Sequence, residues 1–207
     1  MSLNDLTFPV LGRSYLAWAG SGLKSNQQMA VRFQRHAIDI VDAPPGVTRF
    51  KERLGEANGD FEIWGRPIAC PLSGIVLEAI DGVRDHEKMG PKHCYSYSAM
   101  GNAYVIQVAA NRFMVFAHLK RHSLRFKAGD KVERGEILGA VGNSGQSTEP
   151  HLHFHIQNHP FPGKGSGVRF GFSNMTVNGT AIHKGYEPQR GDWVCSSYCS
   201  RNNSHES

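Results

Sequence analysis

No stretch of this 207-residue chain approaches the roughly 20 consecutive apolar residues of a membrane-spanning helix, so no transmembrane segment is expected. Residues 1–23 lack a basic segment followed by an apolar core, so no secretory leader is visible. Two expectations stay open: a cytoplasmic protein, or a secreted one whose leader has been removed. Runs of basic charge are missing too. The formal net charge is +5, but Lys and Arg are scattered, which speaks against nucleic-acid binding. A basic balance of this kind also suits an anionic membrane surface or an acidic polymer. Cysteine is scarce, and Cys70, Cys94, Cys195 and Cys199 permit disulfides without requiring them. Cys195 and Cys199 are too loosely framed for a zinc ribbon. With no leader in view, free thiols are the expectation. There is no internal repeat and no low-complexity segment.

What is present reads as a globular β protein. Hydrophobic residues make up 40% and charged residues 20%, and the chain is long enough to bury a core. The 23 glycines punctuate short apolar runs, a pattern of turns between strands. Ile75 to Ile80 is rich in β-branched residues and stops at Asp81-Gly82. Ala103–Val108 and Arg112–His118 flank a turn near Asn111 and predict a hairpin. Lys127–Val132 and Gly135–Gly139 are short strand-and-turn units. The organisation expected is an extended lead-in over 1–33, a domain over 34–184 with a long surface loop at 83–100, and a polar, flexible tail over 185–207. Within the lead-in only Leu16-Ala17-Trp18-Ala19 has the character to bury a short piece. The charged stretch from Thr48 to Asp60 reads as a short helix or a surface excursion.

The densest chemical signal is Pro150-His151-Leu152-His153-Phe154-His155. On a strand successive side chains alternate faces, so Leu152 and Phe154 enter a core while His151, His153 and His155 face the other way. Neutral imidazole is a common zinc ligand, and a catalytic zinc takes about three protein ligands plus water. A histidine-rich surface strand would show the same pattern. In Ala37-Ile38-Asp39-Ile40-Val41 a lone carboxylate sits among apolar β-formers, an expensive placement unless its charge is compensated. A dication would compensate it; a turn cap or a pairing with Arg35 would serve as well. His118 closes the strand that starts at Phe113, where it could equally be a satisfied core residue.

Taken together, Ala37-Ile38-Asp39, Phe116-Ala117-His118-Leu119, Gly129-Asp130-Lys131-Val132 running to Gly139, Gly142-Asn143-Ser144-Gly145 and His151-Leu152-His153-Phe154 resemble, in this order, the signature of the lysostaphin/LytM-like (M23) zinc metallopeptidases. The resemblance covers roughly 34–157, and Gln34-Arg35 with Ala37-Ile38-Asp39 and the final His-Leu-His-Phe-His is similar to one branch of that family. It implies an all-β fold, a twisted antiparallel sheet, open or folded as a sandwich, of the lysostaphin-type (duplicated hybrid motif-like) architecture. It further implies that Asp39 and His153 bind Zn(2+), and that His118 and His151 orient the attacking water and stabilise the oxyanion. The substrate implied is a peptide of cell-wall (peptidoglycan) type.

The pattern breaks at the first zinc ligand. The family's histidine four residues before the aspartate is Arg35 here, which cannot ligate, being permanently cationic. The branch that supplies it from an upstream Asn-His-His reads Asn26-Gln27-Gln28 here. Ala103 also stands where close relatives often carry histidine. His36 is the first candidate to replace the ligand, although on a regular strand it points away from Asp39 and would need a bulge. His86 and His93 are further candidates, and His155, Arg35 and Gln28 are expected to line the cleft. Three functions follow: a zinc-dependent peptidoglycan hydrolase, a degenerate binding or scaffold module, or an enzyme repurposed for a small-molecule substrate of secondary metabolism.

Overall fold

The computed structural model describes residues 3–24, 26–42, 55–90 and 98–196. Among them the protein is almost entirely β. The central feature is a ten-stranded sheet, antiparallel at every pairing, that folds the chain around the histidine-bearing strand. Short strands of two residues, β1 (Leu6–Thr7), and of six, β2 (Arg13–Trp18), come first, followed by β3 (Ile38–Val41). Then come β4 (Pro67–Ala69), β5 (Gly74–Ile80), β6 (Asn102–Ala109) and β7 (Arg112–Leu119). β8 (Lys131–Val132), β9 (Ile137–Ala140) and β10 (His151–Gln157) complete the middle. β11 (Phe172–Ser173), β12 (Met175–Val177), β13 (Thr180–Ile182) and β14 (Trp193–Ser196) end the described chain. The large sheet runs β13-β12-β14-β2-β3-β10-β7-β6-β5-β8, with β4–β9 and the parallel pair β1–β11 beside it.

The core lies on one face of the middle strands. Ile38 and Ile40 of β3, Leu152, Phe154 and Ile156 of β10, and Met114 and Phe116 of β7 all enter one cluster. Phe154 is held edge-on by Phe170 and tilted against Phe116, with ring centroids 5.2 and 5.0 Å apart. Such aromatic pairs add to plain area burial. Because side chains alternate, Asp39, His153 and His155 are delivered to the opposite face. The register sets them side by side, with His153 opposite both Asp39 on β3 and Ala117 on β7.

The expected boundaries at 34 and 185 do not delimit the sheet. β2 lies inside the lead-in and pairs directly with β3, and β14, inside the tail, pairs with β2. The cause is long-range pairing: Leu16 is wholly buried and Trp193 packs edge-on against Tyr15 across strands 178 positions apart in the chain. The hairpin at Asn111 forms as expected, with φ +54 at the turn. Residues 43–54 and 197–207, and 91–97 with His93 and Cys94, lie outside the described residues.

A short 3-10 turn, Gln27–Ala30, is fastened next to β3 by Asn26. The Asn26 side chain donates to the carbonyls of Gly20 and Ala37 and accepts from the Gln28 amide. Asn26→Ala removes all three bonds and leaves buried carbonyls unpaired. It should lower unfolding free energy by about 1–3 kcal/mol, read from a urea titration. Cys70 is a free thiol, wholly buried and donating to the Leu72 carbonyl. Burial pushes its pKa up to about 12, so the reactive thiolate is scarce at any ordinary pH. Iodoacetamide at mildly alkaline pH should therefore leave Cys70 unmodified in the folded protein and alkylate it after denaturation, as mass spectrometry of its peptide would report.

Candidate functional site

A cleft of about 670 Å³ opens on the polar face of β3, β7 and β10. Asp39, His118, His151, His153 and His155 line it, and so does Gln28. Its other walls are apolar or neutral, with Trp18, Phe33, Met100 and Pro162 among them.

At the floor, Asp39 is 9% exposed and His153 6%. Asp39 Oδ1 lies 2.9 Å from His153 Nδ1, and Asp39 Oδ2 accepts from Gln28 Nε2 at 2.7 Å. The same Gln28 nitrogen is 3.2 Å from His153 Nδ1. Burial by itself raises the Asp39 carboxyl, but the bond and charge of His153, with His151 and Gln28, outweigh it and hold the pKa down to about 2. The carboxylate is thus fully ionised at neutral pH. Below His153, Nε2 meets His155 Nδ1 at 3.0 Å, and His155 Nε2 meets Gln157 Oε1 at 3.1 Å. Burial pushes His155 down to about 3, so this ring is neutral.

Across the cleft stand His118 and His151, with ring centroids 4.6 Å apart. Strand alternation would send His118 into the core beside Phe116. Instead Ala117 and His118 together oppose Ala103, a bulge in the β6–β7 register, and His118 takes φ +65. This left-handed backbone, uncommon outside glycine, turns the ring to the cleft. The turn at Gly142–Gly145 holds it there: His118 Nδ1 donates to the Ser144 carbonyl at 2.8 Å, and the Ser144 hydroxyl bonds to Leu119 O and Asn102 N. Gly145, at φ +78, permits the close approach, since any Cβ there would strike the backbone of Gly101. His151 Nδ1 likewise donates to the Glu149 carbonyl at 2.8 Å, braced by Ser147. In both rings the proton is committed to Nδ1, so in the neutral form Nε2 carries the lone pair. Burial, with the neighbouring His151 and His153, keeps His118 well below the usual histidine range and hence neutral.

The other sequence candidates fall outside this cluster. His36 has a bent backbone, φ +66, but the bend carries its ring away, to within 4.0 Å of Glu187 Oε1 in a small cavity with Phe170 and Pro188. His86 contacts the Gly145 carbonyl and does not line the cleft. Arg35 does not line it either, although its neighbours Phe33 and Gln34 do. Asn26, Asn102, Ser144 and Ser147 were not singled out from sequence, yet they fix the positions of Gln28, His118 and His151. The Gly142–Gly145 turn and the Asn26-Gln27-Gln28 run were their only signals.

Among the described residues, no three or more His, Cys, Asp or Glu side chains are grouped to hold a metal ion. Two such ligands, Asp39 and His153, do converge, and the third side chain at the same point is Gln28. Its Oε1 is buried without a hydrogen-bond partner among the described residues. A buried carbonyl oxygen lacking a donor is under-satisfied, and a cation would satisfy it. The amide nitrogen, not this oxygen, faces Asp39 and His153, so the three side chains fit a cation with the Gln28 amide turned end for end, Asp39 and His153 Nδ1 then being strong donors and the amide oxygen a weak one.

Sequence and structure comparisons bear on this arrangement. The family model described as Peptidase family M23 matches residues 60–168, which contain His118, His151 and His153 but begin after Gln28 and Asp39. An endolysin of Staphylococcus phage 2638A is 36% identical over 115 residues, covering 54% of this chain and 21% of that protein. The peptidoglycan DD-endopeptidase ShyA of Vibrio cholerae is 35% identical over 92 residues, covering 44% of this chain and 19% of that one. The chain thus spans about a fifth of the length of these relatives. The antimicrobial peptidase lysostaphin from Staphylococcus simulans aligns in structure over 79% of this chain and 46% of its own, with 18% identity and a TM-score of 0.42. With more than half of its residues matched by the family model, and the histidine strand within the match, the chain belongs to peptidase family M23.

Proposed function

We propose that the protein is a zinc-dependent endopeptidase-like hydrolase of peptidoglycan-type peptide bonds. One observation carries the reading: the Asp39, His153 and Gln28 side chains meet at one point, and the His118–His151 pair stands across the same cleft. Relatives named as an endolysin and a peptidoglycan endopeptidase support the substrate class. Asp39, His153 and Gln28 would hold the zinc, which when bound supplies Lewis acidity toward a carbonyl and lowers the pKa of a water.

The rest of the chemistry belongs to the chain's own residues. His118 is neutral, and its Nδ1 is pinned to Ser144 O, so its Nε2 lone pair takes a proton from an attacking water. His151, fixed through Nδ1 on Glu149 O, aims Nε2 at the oxygen that becomes negative and donates to it once that nitrogen too carries a hydrogen, as in the imidazolium form. Both rings are held by backbone carbonyls, which keeps them oriented before substrate arrives. The apolar walls at Trp18, Phe33 and Met100 exclude water from the flanks and accept an uncharged stretch of peptide.

A second reading, a degenerate binding module, is favoured by the Gln28 Nε2 bond to Asp39, which bridges the two ligands without a metal. Elemental analysis of the purified chain separates the two. About one zinc per chain is expected on the first reading, and none after zinc supplementation on the second. His153→Ala should strip the zinc. His118→Ala should keep it and slow cleavage of crosslink peptides by about 100- to 10,000-fold, read by mass spectrometry of released fragments. Gln28→His, replacing a weak donor by imidazole, should raise zinc affinity in a competition with a chelator. If His118→Ala cleaves at the full rate, the assignment of the base is wrong.

A further inference from the structure

Three buried side chains of one strand, His153, His155 and Gln157, form a hydrogen-bonded line that starts at the cleft and runs into the protein. His153 Nε2 meets His155 Nδ1 at 3.0 Å, His155 Nε2 meets Gln157 Oε1 at 3.1 Å, and Gln157 Nε2 donates to the His159 carbonyl at 2.5 Å. All three side chains project from alternate positions of β10, so one strand aligns them. His155 is 1% exposed and Gln157 wholly buried.

The direction of the line can be read from its fixed end. A carbonyl oxygen only accepts, so the Gln157 amide must turn its nitrogen to His159 and its oxygen to His155. His155 Nε2 must then carry a hydrogen to donate to that oxygen. A neutral His155 so protonated has its lone pair on Nδ1, facing His153. His153 in turn donates from Nε2. The proton of a neutral His153 is thus placed on Nε2, toward His155, and its Nδ1 lone pair is aimed at the Asp39 carboxylate 2.9 Å away. Two acceptors at that distance repel each other unless a positive centre lies at the same place. The opposite direction would give Asp39 a simple N–H donor and no ligating atom.

We propose that Gln157, acting through His155, is a positioning residue that fixes the tautomer of His153 so that Nδ1 is the metal-ligating nitrogen. The proposal rests on the zinc reading of the cleft for its purpose, though not for its geometry. Partners of this kind behind a ligating histidine change metal affinity by about 10- to 100-fold when removed.

The test uses the full chain with 15N-labelled histidine. Long-range proton–nitrogen correlation in the metal-free protein should show His155 protonated on Nε2 and bare on Nδ1. In Gln157→Met, similar in size but offering no comparable acceptor, the line should reverse and the His155 proton move to Nδ1. Gln157→Glu keeps an acceptor facing His155 but loses the N–H given to the His159 carbonyl, so it should keep the proton on Nε2 at a cost in stability, which separates a directional role from mere packing. In a chelator competition, Gln157→Met should bind zinc about 10- to 100-fold more weakly than the wild type, and Gln157→Glu should stay close to it. A wild-type His155 protonated on Nδ1, or a Gln157→Met protein with unchanged tautomer and unchanged zinc affinity, overturns the proposal. If the wild type takes up no zinc while the tautomers behave as stated, the metal reading of the cleft falls and the relay stands. Should Gln157→Met not fold, the wild-type spectrum alone decides.

Discussion

The contact between the carboxylate of Asp39 and Nδ1 of His153 is the constraint around which the other polar groups are arranged. Burying a carboxylate costs several kcal/mol unless its charge is met and its lone pairs are bonded. Here Oδ2 accepts from Gln28, while Oδ1 faces His153 Nδ1 at 2.9 Å and is satisfied by a hydrogen on that nitrogen or by a cation shared with it. The contact exists only because β3 and β10 pair with Asp39 directly opposite His153. A slip of one residue would place Ile40 or Ile38 in the cleft and drive the carboxylate into the apolar core. Register, core and site are therefore one specification: the same alternation that stacks Phe154 on Phe116 delivers His153 to Asp39.

Departures from regular structure occur where the cleft needs them. His118 reaches the cleft only through a bulge and a left-handed backbone, a local strain that regular β7 would not carry. The surroundings over-determine it. The backbone N–H of His118 donates to Met100 O, its ring donates to Ser144 O, and Ser144 is itself tied to Leu119 and Asn102. Asn102 in turn bonds Val83 and Leu119 through its side chain. This network joins β6, β7 and the Gly142–Gly145 turn, so the His118 wall of the cleft is built from the elements least regular in the sheet.

What the sequence reveals follows from how local each feature is. The alternation of His151–Gln157 and the isolated carboxylate in 37–41 are local, and they locate the floor of the cleft before any fold is known. The all-β architecture is legible for the same reason, from short apolar runs and glycine turns. His118 is not: whether it enters the core or the cleft depends on one φ angle and on Ser144, far away in the chain. β2 and β14 are hidden because their burial comes from partners remote in sequence, and the mixed runs Arg13–Trp18 and Trp193–Ser196 carry little pattern of their own. His36 misleads in the opposite way. Adjacency to Asp39 suggests a ligand, and a bend is indeed present, but it turns the ring toward Glu187. Gln28 looks like a simple loss of histidine until Asn26 is seen to hold it against the carboxylate.

That placement gives the amide of Gln28 two roles. Through its nitrogen it has two hydrogens, one for Asp39 Oδ2 at 2.7 Å and one toward His153 Nδ1 at 3.2 Å, so it spans the two groups that a cation would bridge. Through its oxygen, now buried and unbonded among the described residues, it can face that cation. An imidazole in its place could not change ends so cheaply, because turning a ring about its bond to the backbone sweeps a larger volume through a packed interior. Each end also leaves something unmet. With the nitrogen inward, Nδ1 and Oδ1 confront each other at 2.9 Å while the amide donates to Nδ1 and to the other carboxylate oxygen, Oδ2. With the oxygen inward, three acceptors converge and only a positive charge reconciles them. Without metal the site is thus stable to a degree that a three-acceptor cluster would not be, and for the same reason a cation would be held less tightly there, since ligation must first break the two bonds the amide makes.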